Sequence, residues 1–123
     1  MRTRDMRARP ATTSLTVEAN PLFSVSVSRR NGHRVVRIGG ELDVATRNRV
    51  RRACLGGRKE VVVEMSEITF MDCCGYGGLV AARRALQAHG GSLTLLNQAG
   101  QPAELLMVLS LLEGRNCLAR PST

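Results

Sequence analysis

The stretch "VVVEMSEITFMDCCGYGGLVAARRALQAHGGSLTLLN", residues 61–97, decides the fold. With the preceding glutamate, residues 60–65 form a short, nearly continuous apolar run, which suits a buried parallel strand. "SLTLLN", residues 92–97, is a second short run of the same kind. Between the two, Leu79, Ala82 and Leu86 recur at helical spacing, with Arg83, Arg84 and Gln87 on the other side. Gly90-Gly91 stops that helix. Strand, helix and strand in this order build an α/β sheet. Gly75-Tyr76-Gly77-Gly78 reads as the tight turn that leads from strand into helix.

Outward from this unit, the signals are equally local. In "FSVSV", Phe23, Val25 and Val27 alternate onto one face, an ordinary strand pattern. Asn31-Gly32 follows, then the apolar residues 35–38, so a two-strand hairpin is expected. Asp43 reads as the N-cap of a helix over about residues 44–55. That helix buries Val50, Ala53 and Cys54 and turns Arg47, Arg49, Arg51 and Arg52 mostly outward. After residue 97, Pro102 stands at an N1 position and Glu104 in the first turn of a last helix, favourable for its dipole. "LLMVLSLL" in that helix is apolar nearly all round; a strip left exposed would mark a partner or dimer surface. "NCLA" reads as a closing short strand. Residues 1–20 read as a flexible basic arm with a short extended piece at 15–17, and residues 21–121 as one domain. The expected architecture is α/β, a mixed β-sheet with helices packed against it.

Composition bounds the rest. A chain of 123 residues supports one core rather than two. Aromatic residues number three (Phe23, Phe70 and Tyr76), so the core must be aliphatic. The net charge of +8 comes from arginine, Lys59 being the single lysine. Such a balance permits nucleic-acid or acidic-protein partners and chooses neither. No window approaches the ~18 apolar residues of a membrane span, and the N-terminus lacks the apolar region of a secretory signal. A soluble cytoplasmic protein is the expectation, with Cys54, Cys73, Cys74 and Cys117 as thiols rather than a disulfide framework.

Four kinds of chemistry can be weighed at "FMDCCGYGG". Zinc sites space their cysteines as C-x₂₋₄-C; here Cys73 and Cys74 are adjacent and the remaining Cys and His are isolated, so no metal and no cofactor is expected. A phosphate loop would need Lys-Ser/Thr after the glycines or a complete G-x-G-x-x-G, and Val80 stands where its third glycine belongs. Nucleophilic catalysis by Cys73 needs a base, and neither His33 nor His89 is placed by sequence to pair with it. Nucleic-acid recognition would use stacking aromatics, which are missing, so no specific nucleic-acid partner is expected.

Two segments together carry a family resemblance: "VVRIGGELDVAT" (residues 35–46) and residues 61–97. They resemble the STAS domain of bacterial anti-sigma factor antagonists, in which G-E-[LI]-D with a Thr three residues on precedes an apolar strand and a -[FY]-[ML]-D-S-S-G-[LV]-G- turn. The resemblance covers residues 21–118 and implies a mixed sheet with helices against it. It also implies a non-enzymatic role, binding an anti-sigma factor with a histidine-kinase-like ATPase fold and so releasing a sigma factor for transcription. The implied partner-binding residues are Asp43, Asp72, Cys73, Cys74, Gly75 and Tyr76, and a homodimer is compatible with the same reading.

In that family the kinase-like partner phosphorylates the first serine of D-S-S-G, and the charge of about −1.5 to −2 switches binding off. In this sequence that position is Cys73 and the next is Cys74, and a thiol is no substrate for Ser/Thr phosphorylation. Three outcomes are open: constitutive binding, a redox switch using Cys73, Cys74 or Cys117, or displaced phosphorylation on Ser66 or Thr69. The alternative roles are a thiol-based redox regulator with a non-sigma partner and a basic nucleic-acid-associated protein. A disulfide to Cys117 or Cys54 would need Cα atoms within about 7 Å.

Overall fold

The computed structural model describes residues 12–20, 22–57 and 59–113. Its elements in chain order are β1 (Thr12–Asn20), β2 (Phe23–Arg30), β3 (His33–Leu42), α1 (Arg47–Cys54), β4 (Glu60–Met71), α2 (Cys73–Ala88), β5 (Ser92–Leu96) and α3 (Gly100–Glu113). The five strands form one sheet in sequential order. β1–β2 and β2–β3 are antiparallel, while β3–β4 and β4–β5 are parallel. The mixed α/β sheet is as expected. The extended piece at residues 15–17 is the middle of a nine-residue strand. Backbone pairing thus reaches Thr12, before the expected domain boundary at residue 21. The expected strand "NCLA" and Cys117 lie outside the described residues.

The β2–β3 hairpin closes as the sequence requires. Arg30 pairs with His33, and Asn31 and Gly32 both take positive φ, 52° and 82°. That is the type I′ geometry for which Asn-Gly is preferred.

Register places the core on one face. Val25 faces Ile38 and Val27 faces Val36. Val36 neighbours Val63, and Val61 and Val63 neighbour Leu93 and Leu95. All are buried, and α1 and α2 supply Val50, Cys54, Leu79, Ala82 and Leu86 to the same core. Cross-strand neighbours on the other face include Ser24, Ser26, Arg37, Val62, Glu64 and Thr94, all partly or fully exposed. Arg34, on the core face, reaches under α1: its Nε donates to Ala53 O at 2.5 Å and its Nη1 to Gly56 O at 3.2 Å. It thereby satisfies carbonyls that the end of a short helix leaves open.

Three boundaries differ from the sequence reading. β4 continues from residue 65 to Met71, kept in the sheet by register shifts opposite Gly39 and Gly40. α2 begins at Cys73, not after Gly78: the supposed turn is helix. α3 begins at Gly100, so Glu104 falls beyond a first turn that holds no acidic residue. Pro102 sits near its start, fully buried, where its missing N–H costs nothing.

The glycines of α2 are explained by approach distance rather than turning. A Cβ on Gly75 would stand 2.2 Å from the Leu42 carbonyl oxygen, and one on Gly78 2.9 Å from Arg47 Cβ. The start of α2 therefore rests directly on the end of β3 and the start of α1. Gly77 has nothing within 4 Å of such a Cβ. In Gly75→Ala the clash with backbone, about 1–3 kcal/mol, exceeds the helix-propensity gain of about 0.8–1 kcal/mol. Chemical denaturation should therefore show Gly75→Ala destabilised and Gly77→Ala more stable than wild type; equal shifts would contradict the close approach.

Burial also acts on Cys54, whose thiol is pushed up to about 12 from an ordinary 9.0. Below the ordinary value the thiol is protonated in folded and unfolded chains alike, and it contributes no pH dependence. Between the two values only the unfolded chain loses the proton, so stability falls as pH rises. Urea melts at about pH 8 and about pH 10.5 should show a smaller alkaline loss in Cys54→Ala than in wild type.

Candidate functional site

The parallel strands β3 and β4 end side by side, with Leu42 the register partner of Met71. Asp43 and Asp72, one residue further on each, therefore emerge together at the carboxyl end of the sheet. This is the end at which open α/β sheets present their ligand-facing loops.

Asp72 is the N-cap of α2. Its backbone is extended, and its Oδ1 accepts from Gly75 N at 2.8 Å. Its own N–H donates to Leu42 O at 3.3 Å, and its carbonyl accepts from Tyr76 N at 2.9 Å. The half-buried carboxylate is thus tied to the backbone it caps. Gln101 fixes the residue before it: Oε1 accepts from Met71 N and Nε2 donates to Met71 O, both at 2.8 Å. The side-chain amide continues the pairing on the side of β4 that β5 no longer reaches, and α3 is pinned to the site by it.

Asp43 does not cap α1. The helix starts at Arg47, with Thr46 at the N-cap position and no side-chain cap bond. Asp43 instead opens the preceding turn: its carbonyl accepts from Thr46 N and Arg47 N at 3.2 and 2.9 Å. Its Oδ1 accepts from Ala45 N at 2.9 Å and from Thr46 Oγ1 at 3.3 Å. The Thr46 hydroxyl, buried, also accepts from Asp43 N and lies 2.9 Å from Glu41 O. An aspartate that holds a turn through its own side chain displaces the helix start by one turn.

Cys73 is exposed and Cys74 half-buried, at the first two positions of α2, while Cys54 is buried in the core. Gly75 is buried under Leu42. Tyr76 is 5 % exposed, which corrects its expected place on the docking face: it stands three residues before Leu79, on the apolar stripe of α2, and belongs to the core. Gly75 and Tyr76 shape the site from beneath. Ser66 and Thr69 are exposed on β4.

Val44, 59 % exposed between Asp43 and Thr46, adds an apolar side chain that the sequence reading did not single out. Thr46 was visible only as part of the motif. Gln101 gave no signal, since an amide pairing with a strand end depends on a contact thirty residues away.

His33 lies in the hairpin turn at the opposite end of β3, and His89 at the far end of α2, about 24 Å from Cys73 by helical rise. Among the described residues no three His, Cys, Asp or Glu side chains group as a metal site, and no helix is long and apolar enough to cross a membrane.

Solved structures share this fold. An anti-sigma factor antagonist from Mycobacterium paratuberculosis aligns at TM-score 0.58 and 19% identity, over 81% of this chain and 79% of that one. The anti-sigma factor antagonist SpoIIAA in its unphosphorylated form aligns at 0.56 and 22%, over 80% and 82%. The phosphorylated form of SpoIIAA, the Bacillus cell fate determinant, aligns at 0.55 and 20%, over 83% and 84%. At these identities the likeness is one of fold. No curated protein gives a significant sequence match. The STAS domain family model matches residues 24–116, most of the chain, and the chain belongs to the STAS domain family.

Proposed function

We propose that this chain is an anti-sigma factor antagonist: a non-enzymatic binding module that engages an anti-sigma factor with a kinase-like ATPase fold, and so releases a sigma factor for transcription. The observation that carries the reading is the place of Cys73. It is exposed at the first position of α2, directly after the capping Asp72 and beside the Asp43–Thr46 turn. That is where the motif of anti-sigma factor antagonists sets a phospho-accepting serine.

The docking face under this proposal consists of Asp43, Val44, Asp72, Cys73 and Cys74. A phosphate at position 73 would add charge next to Asp72 within that face and disfavour binding by repulsion and desolvation. A thiol accepts no such phosphate, so binding here is not switched off by the partner's kinase activity. Gly75 and Tyr76 act by seating α2, not by touching the partner.

A second reading has its own observation. Of the three described thiols, only Cys73 is exposed, and exposure is one requirement for selective oxidation to a sulfenic acid or mixed disulfide. Oxidation there would alter the docking face as phosphate does.

The test mixes the purified chain with a kinase-like anti-sigma protein and ATP. Wild type should stay bound and unphosphorylated, whereas Cys73→Ser should acquire phosphate and dissociate. Val44→Glu should weaken binding at least tenfold. Phosphate on Ser66 or Thr69 of the wild type would replace constitutive binding by a displaced switch. With ATP left out, binding lost in peroxide by wild type and retained by Cys73→Ser would favour the thiol switch, and no binding in any state would overturn the proposal.

A further inference from the structure

α3 presents a surface that the proposed docking face does not use. Met107, Val108, Leu111 and Leu112 are 65, 54, 81 and 77 % exposed. At i, i+1, i+4 and i+5 they form two parallel rows on one side of the helix. Leu106 on the other side is buried, and Leu105 and Leu109 pack against the core. The core-facing stripe is therefore already satisfied, and the exposed rows are additional to it. Four large apolar side chains in one continuous strip are more than the scattered exposure expected of a monomer.

We infer that this strip is the contact face of a homodimer, in which two copies of the chain pack α3 against α3. Charge selects the occupant. The chain carries +8, with seventeen arginines and one lysine, yet no Lys or Arg occurs from residue 85 through residue 114. Two such chains repel one another over most of their surface, and α3 is a helix on which they can meet without opposing arginines. The strip also suits its own image: an antiparallel pair about a twofold axis sets the Met107 end of one helix against the Leu112 end of the other, apolar along its length. The chain's own last ten residues are a poorer occupant by composition, since they offer only Cys117 and Leu118 as sizeable apolar side chains and include two arginines.

A strip two helical turns long buries less than the ~800 Å² per partner of a standard interface, which places the dimer among weak, reversible associations. Salt gives the sign. A dimer held by apolar contact against like net charge tightens as salt screens the repulsion, whereas one held by ion pairs loosens.

Sedimentation velocity on the full chain, over a dilution series at low and high salt, tests this without reference to the proposed docking face. Wild type should shift from 13.4 kDa towards twice that mass with rising concentration, and at lower concentration when salt is raised. Leu111→Glu and, separately, Met107→Glu should each weaken the dimer at least tenfold with unchanged circular dichroism, while Arg52→Glu should not weaken it. A chain monomeric at every concentration, a dimer that survives both α3 variants, or a dimer that salt dissociates would overturn the inference.

Discussion

The carbonyl of Leu42, at the end of β3, is the point on which the arrangement turns. It accepts the N–H of Asp72 and lies so close to the α2 backbone that only glycine fits at position 75. One contact therefore fixes three things: the last step of β3–β4 pairing, the height at which α2 starts, and the lateral position of the cap. With the start of α2 fixed, Tyr76, Leu79, Ala82 and Leu86 descend onto the sheet along one stripe. Gly78 then brings the second turn of α2 against Arg47 of α1. A side chain at either glycine would lift the helix from both neighbours.

This explains how a site on the surface is held by groups beneath it. Asp72 spends its carboxylate on capping, Thr46 spends its hydroxyl on the turn that contains Asp43, and Gln101 holds Met71 from the far side. None of these bonds involves Cys73, whose thiol projects from a helix start already secured by its neighbours. A chemical change at position 73 can alter the surface without dismantling the cap. Such independence is what a modifiable position requires.

Much of the framework was legible because it rests on local patterns. The Asn-Gly hairpin, the apolar start of β4, β5, and the buried stripes of α1 and α2 all follow from periods of two or 3.6 residues. What escaped was decided by contacts distant in sequence. The glycines at 75, 77 and 78 read as a turn because helix propensity penalises glycine, but tertiary approach demanded it at two of the three positions. In a turn, Tyr76 is free either to pack locally or to face a partner; once the segment is helical, its spacing from Leu79 places it in the core. Asp43 reads as a cap one turn too early in the chain, since the competing Asx-type turn with Thr46 has much the same composition. The exposed rows of α3 could be anticipated only as an apolar surplus, because sequence does not say which side of an all-round apolar helix meets the sheet.

The surplus acquires meaning from the distribution of charge. Arginines occupy α1 and the β2–β3 hairpin, two carboxylates meet at the carboxyl ends of β3 and β4, and α3 lacks basic residues altogether. Under the proposed function a partner approaching the carboxyl end of the sheet meets Asp43 and Asp72, and electrostatic complementarity chiefly sets which partner approaches and how fast. On α3 there is little charge to steer anything, so affinity there must come from apolar burial. Under the two proposals the faces select partners by different physics, and occupation of one need not compete with occupation of the other.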